Sequence, residues 1–272
     1  MPQLTKLAKI AKKAGEKLLE MQPAVVEKEK AQLGSDKYPH SEADDAANKI
    51  VLEELNRFYP NIPIVSEENS VKDNNKGLKS KEYFAIDPLD NTRSFVEGKG
   101  AYSINIGKIE NGLPTEGAIY FPKKRELYFT KNGRAFLQKD ESEPKEIRVA
   151  RLSPHGPIKV AVGFANSDDS LFGNITHETG KYPGQLRTCM VAAGECHVTG
   201  RQNEGFNIWD IAAPHAVLRA AGGEIVLAED RKPFRYNGEI KVPAHFSGAI
   251  ETLLIMGHTT KGLLQPKHQR QL

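Results

Sequence analysis

From residue 83 to 149 the chain is a succession of short apolar runs broken by turn signals, and that pattern restricts this stretch to consecutive β-strands. The runs fall at 83–86, 103–109, 117–121, 126–130, 135–138 and 147–149, with hairpin dipeptides at Asn111-Gly112 and Asn132-Gly133. Ahead of them, Leu4, Leu7, Ala8, Ala11, Ala14 and Leu18 recur at helical spacing, so 4–21 reads as an amphipathic helix. A charged stretch, 27–39, reads as a loop. Ser41 then opens a second helix with Ala47, Ile50, Val51, Leu55 and Phe58 on its buried side. Residues 69–81 are polar and read as a loop. After Ile158 the pattern turns to alternating strands and helices, with strands expected at 159–163 and 224–227 and helices at 168–175, 186–196, 210–221 and 246–256. The fold class is therefore α/β (α+β), with helices and sheets in stacked layers. A soft boundary near residue 150 divides a front half, 1–150, from a back half, 151–272.

Composition narrows the class of protein. No apolar run approaches the roughly 20 residues that cross a bilayer, so no integral membrane contact is expected. The 38 basic and 35 acidic side chains leave a formal charge of +3, too little for the concentrated basic face of a nucleic-acid binder. Cys189 and Cys196 cannot form a disulfide framework in a chain of this size and read as buried thiols. The lysine-rich start has no continuous apolar core, which points to a cytoplasmic protein.

The chemistry concentrates at Ile86-Asp87-Pro88-Leu89-Asp90-Asn91-Thr92, where an apolar strand delivers two carboxylates, three apart, at its end. Asp87 and Asp90 suit a hard divalent cation, and the amides after them suit the phosphate such a cation attracts. The same residue types also build ordinary solvated turns. Glu67-Glu68 alone reads as two surface acids. Asp44 has a local role as capping-box partner of Ser41, and Asp210 as an acid in a first helical turn.

Taken together, Ser66-Glu67-Glu68, Asp87-Pro88-Leu89-Asp90-Asn91-Thr92 and Trp209-Asp210-Ile211-Ala212-Ala213 with Ala221-Gly222-Gly223 resemble the inositol monophosphatase superfamily in order and spacing. With Leu89 and Asn207-Ile208-Trp209-Asp210, the chain looks most like its 3′(2′),5′-bisphosphate nucleotidase branch. The resemblance implies a layered αβαβα sandwich and a small phosphorylated metabolite as substrate. It implies that water activated at two or three Mg²⁺ ions removes the 3′-phosphate of adenosine 3′,5′-bisphosphate. An inositol or other sugar monophosphatase is the alternative, and a non-catalytic nucleotide- or protein-binding relative a more distant one. The oligomeric state stays open between monomer and homodimer.

Residue by residue, the resemblance assigns Glu67, Asp87 and the Leu89 carbonyl to one metal and Asp87, Asp90 and Asp210 to a second. It assigns Asp44, Glu67 and Thr92 to activation of water, and the amides of Asn91 and Thr92 to the phosphate. The front half then carries most of the metal ligands, while the back half adds Asp210 and substrate contacts. Two departures stand out. Asn91 replaces the usual glycine, which puts a side chain beside the phosphate pocket. Pro183-Gly184-Gln185-Leu186-Arg187 replaces a Gly-Ser-Ser-Leu-Lys run, leaving Arg187 and Arg201 as the substrate-binding cations.

Overall fold

The computed structural model describes residues 3–31, 42–153, 157–163, 177–182, 184–201 and 205–259. Two long helices, α1 (Lys6–Ala31) and α2 (Glu42–Phe58), come first. The strand β1 (Ile64–Ser66), the short helix α3 (Val71–Leu78), β2 (Glu82–Asp90) and the single turn α4 (Thr92–Val96) follow. A meander of β3 (Ser103–Glu110), β4 (Leu113–Phe121), β5 (Glu126–Lys131), β6 (Arg134–Lys139) and β7 (Lys145–Ile147) completes a seven-stranded sheet in sequence order. Only β1 pairs in parallel, with β2; the remaining pairs are antiparallel.

The period-2 pattern of this sheet sorts its side chains into two layers. Phe84, Ile86, Ile104, Ile106, Ala118, Tyr120, Leu127 and Phe129 pack with Leu7, Ala11, Leu18, Val51 and Leu55 under α1 and α2. Tyr83, Ala85, Ile119, Phe121 and Tyr128 face the other way. There they meet α5 (Leu186–Ala192) and α6 (Ile208–Ala220).

Among the described residues a second sheet has five strands, in the order β12 (Gly223–Leu227), β14 (His245–Ala249), β10 (Val198–Arg201), β8 (Ile158–Val162), β9 (His177–Lys181). Two short strands, β11 (Phe206–Asn207) and β13 (Lys241–Val242), form a small ribbon. One face of the five-stranded sheet joins the α5–α6 layer through Ala161 and Ile225. Its other face, with Val160, Val162, Val198 and Phe246, takes Leu253 of α7 (Ile250–Thr259). The layers thus run helix, sheet, helix, sheet, helix: an αβαβα sandwich.

The middle helix explains itself by composition. Ile208, Trp209, Ile211, Ala212, Ala213, Ala216, Val217 and Leu218 leave α6 apolar on every side, which suits a helix pressed between two sheets. It lies very close to the large sheet because Gly107 and Gly117, cross-strand neighbours, present no side chain there. A Cβ on Gly107 would stand 2.6 Å from the Ala212 carbonyl carbon, and one on Gly117 2.6 Å from the Ala213 oxygen. His215 is fully buried on the same helix. Its Nε2 lies 2.5 Å from Glu224 Oε1 and its Nδ1 3.2 Å from the Tyr236 hydroxyl, which ties α6 to β12.

Several local expectations need correction. Residues 71–78 are a helix because Ser70 caps it, accepting from the Asp73 amide at 3.2 Å. Asn74 then holds it to β1, with its amide bonded to both the N–H and the C=O of Ser66. The first helix runs on to Ala31, through Pro23. The helix expected at 186–196 stops at Ala192, so Cys196 lies beyond it; both thiols are buried and free. The run at 246–256 splits into β14 and α7, because 245–249 pair with both β10 and β12. Ser41, the rest of the 27–39 loop beyond Ala31, the helix expected at 168–175 and Pro183 lie outside the described residues. Among the described residues no helix is long and apolar enough to cross a membrane.

Candidate metal and phosphate site

β2 does not stop at Ile86. It continues to Asp90 with a register break between Asp87 and Asp90, so both acids project from the end of one buried strand. Asp87 shares the α6 side of the sheet with Tyr83 and Ala85, and there α6 begins. Asp210 stands in the first turn of that helix, its Oδ2 accepting from the Asn207 amide at 2.7 Å. Carboxylate oxygens of Asp87, Asp90 and Asp210 all lie within 4.8 Å of one another.

Each of these acids is unhappy when charged alone. Burial pushes Asp87 well above the ordinary carboxylate range, and the charges of Asp90, Glu67 and Asp210 add to it, against a 3.0 Å hydrogen bond from the Leu89 amide. Burial and Asp90 push Asp210 up to about 8. Burial also raises Asp90, although Arg201 and hydrogen bonding from Ser103, Asn105 and the Asn91 amide draw it back. Glu67, just after β1, is exposed as a residue, yet its carboxyl is crowded into the cluster. Desolvation there, with Glu68, Asp90 and Asp44, pushes it up to about 7, and a hydrogen bond with Asp87 opposes this. An all-oxygen set of mutually repelling carboxylates fits a hard divalent cation, whose charge offsets both the burial and the repulsion.

The sign of the pH effect follows. In the unfolded chain Asp210 and Glu67 titrate near their ordinary values of 3.8 and 4.5; folding raises both, so their contribution is fully present below about 4 and is lost as pH climbs through about 7 to 8. The metal-free protein is therefore expected to melt at a lower temperature at pH 8 than at pH 5. Divalent cations should recover more of the melting temperature at pH 8, as thermal melts with cation or chelator will read.

The remaining residues from the sequence fall into two groups. Asp44 is buried in the first turn of α2, with its Oδ1 3.3 Å from the Thr92 hydroxyl. That hydroxyl is also 3.1 Å from the Leu89 carbonyl. Thr92 is the first helical residue of α4 and not its cap. The cap position is Asn91, left-handed at φ 65° and ψ 53°. Asparagine tolerates this region better than most residues. Its side chain donates to the Ala101 carbonyl at 2.7 Å, which fastens the turn to the segment leading into β3.

Arg201 ends β10, donates to the Gly184 carbonyl at 2.6 Å and stacks on Phe206 at 4.1 Å. Its charge reaches Asp90 and Asp210. Arg187 is buried in α5; burial, with smaller contributions from Arg201 and Arg187, pushes His245 down to about 4.

Sequence reasoning passed over Ser103, Asn105 and Gly184. Ser103 Oγ lies 3.2 Å from Asp90 Oδ2 and 3.1 Å from Asn105 Oδ1. A Cβ on Gly184 would sit 3.6 Å from Asp90 Oδ2. The signal for the first two was available: Ser103-Ile104-Asn105-Ile106-Gly107 alternates polar with apolar, although every residue in it is buried.

The chain is similar to known proteins. The 3′(2′),5′-bisphosphate nucleotidase CysQ of Salmonella typhimurium is 30% identical over 230 residues, covering 82% of this chain and 89% of that one. The crystal structure of CysQ from Bacteroides thetaiotaomicron, described as a bacterial member of the inositol monophosphatase family, superposes with a TM-score of 0.72 at 25% identity, covering 90% of this chain and 96% of that one. An Anabaena inositol monophosphatase shares the fold with a TM-score of 0.69 at 21% identity, covering 95% and 94%. The model of the inositol monophosphatase family matches residues 2–256. With that match over nearly its whole length, the chain belongs to the inositol monophosphatase family of metal-dependent phosphatases.

Proposed function

We propose that this enzyme hydrolyses the 3′-phosphate of adenosine 3′,5′-bisphosphate, using Mg²⁺. The observation that supports it most is the convergence of three carboxylates from β2 and α6 within 4.8 Å, together with the hydrogen bond of half-buried Thr92 to buried Asp44. The nucleotide assignment leans on the relative from Salmonella typhimurium, which carries that name at 30% identity.

Glu67, Asp87 and the Leu89 carbonyl would hold one cation, and Asp87, Asp90 and Asp210 a second, with room in the reading for a third. Such cations supply neutralisation of the anionic ester and acidification of water. The chain's own residues do the rest. When Thr92 donates its hydrogen bond to Asp44, the lone pairs of Oγ1 remain to accept from the attacking water, and Glu67, which interacts with the Asp44 charge, would share that load. The amides of Asn91 and Thr92 orient the phosphate, while Arg187 and Arg201 attract the second phosphate of the nucleotide. In this reading the two halves, 1–150 and 151–272, meet at the cluster, the first giving most ligands and the second Asp210 and the arginines.

A phosphate-release panel tests the proposal, with adenosine 3′,5′-bisphosphate, inositol 1-phosphate and fructose 1,6-bisphosphate, each with Mg²⁺ and with chelator. The expected outcome is a kcat/KM at least tenfold higher for the nucleotide and no release under chelation. Preference for inositol 1-phosphate would replace the nucleotide assignment by the sugar-phosphate one.

A further inference from the structure

Ser103 and Asn105 lie on the same face of β3, opposite Asp90 and Asp87 respectively in the β2–β3 ladder. Both are fully buried. They occupy the strip of sheet between the two β2 acids and Gly107, over which α6 passes. A serine and an asparagine in the core of a sheet carry a desolvation cost unless their polar atoms are used. Ser103 has one hydroxyl proton to give and two oxygens in reach, Asp90 Oδ2 at 3.2 Å and Asn105 Oδ1 at 3.1 Å. Asn105 Nδ2 is buried and makes no hydrogen bond of good geometry, yet the side chain stands near enough to Asp90 to draw its carboxyl down. Packing gives no reason for an amide here, since an apolar residue of its size would fill the same space.

We propose that Ser103 and Asn105 are positioning residues of the site, holding the Asp90 carboxylate towards Asp87 and Asp210 and thereby setting how tightly the cluster takes a divalent cation. This rests on the reading of Asp90 as a metal ligand. A carboxylate that must face a cation has two oxygens and free rotation about its terminal bond. A charge-assisted hydrogen bond to one oxygen removes that freedom before the ion arrives. Asn105 acts one step further out. A half-turn of its side-chain amide sets Nδ2 against Ser103 Oγ, where it donates to that oxygen and leaves the one hydroxyl proton for Asp90.

The experiment is calorimetric titration of the metal-free protein with Mg²⁺, for wild type, Ser103→Ala, Ser103→Thr and Asn105→Ala. Partners of this kind typically affect metal affinity by roughly 10–100-fold. Ser103→Ala and Asn105→Ala should each weaken Mg²⁺ by about tenfold or more. Ser103→Thr, which keeps the hydroxyl, should return to within about threefold of wild type. At saturating Mg²⁺ the loss of kcat in Ser103→Ala should be smaller than its loss of Mg²⁺ affinity, a split that a merely structural defect would not give. Should Asn105→Ala fold poorly, the Ser103 pair decides alone. Wild-type binding with an unchanged affinity in Ser103→Ala overturns this inference and leaves the metal site intact. Absence of Mg²⁺ binding in wild type overturns both together.

Discussion

Asp210→Asn is expected to lower kcat by roughly a thousandfold or more while raising the melting temperature of the metal-free protein at pH 8. The two effects have one cause. Asp210 is buried against Asp90, and both burial and that neighbour oppose its negative charge. The amide is isosteric and keeps an oxygen that can accept from the Asn207 N–H, so the first turn of α6 keeps its cap. The charge is gone, however. The folded chain no longer carries the penalty of ionising that group, and the cluster no longer has the electrostatic strength to hold its cation against water. Asp90→Asn should behave alike, with the Ser103 contact still available to the amide oxygen. Phosphate-release rates and thermal melts under chelator read both halves. A variant retaining activity within tenfold of wild type would take that residue out of the metal cluster.

Gly107→Ala should be the most damaging single methyl that can be added to the sheet. The new carbon would meet the Ala212 carbonyl carbon and Ala213 nitrogen at 2.6 and 2.7 Å. These are backbone atoms of a helix wedged between two sheets, so no rotamer change relieves the contact. Overpacking of this kind costs about 3 kcal/mol. Trimming Ala212 to glycine would remove one of the clashing atoms and leave the backbone ones, so the double variant should not be rescued. The helix must move outward instead, and Asp210 moves with it. A displacement near 1 Å at a reacting centre costs about a hundredfold in rate. Urea denaturation should show a lower midpoint and kinetics a lower kcat. A Gly107→Ala protein with wild-type stability would mean that the helix does not rest on this strand as described.

Much of the architecture was legible because the large sheet is a meander: its neighbours in space are neighbours in sequence, so runs and turn dipeptides suffice. What was illegible depended on distant partners. Residues 71–78, Val-Lys-Asp-Asn-Asn-Lys-Gly-Leu, have no apolar stripe, and they are helical through a serine cap and the grip of Asn74 on Ser66. Residues 245–249 are apolar enough for either helix or strand, and only pairing on both sides with β10 and β12 decides the matter. For the site, the pair Asp87 and Asp90 was visible as acids ending an apolar strand. Their union with Asp210 was not visible in residue spacing, because β2 and the first turn of α6 are joined only through the stacking of layers. The family resemblance supplied that link. Ser103 and Asn105 escaped notice because a buried polar residue looks, in sequence, like the solvent face of a strand.

The position of α6 has one more consequence. A carboxylate at the tip of a surface helix could be lost by local fraying, with the rest of the molecule intact. Here the helix that bears Asp210 is the shared filling of both sheets, sealed by Gly107 and Gly117 on one side and tied through His215 to Glu224 on the other. Neither lobe can loosen without dragging this acid out of register. On heating, loss of Asp210 from its place and global melting are thus expected to fall together, as one cooperative event.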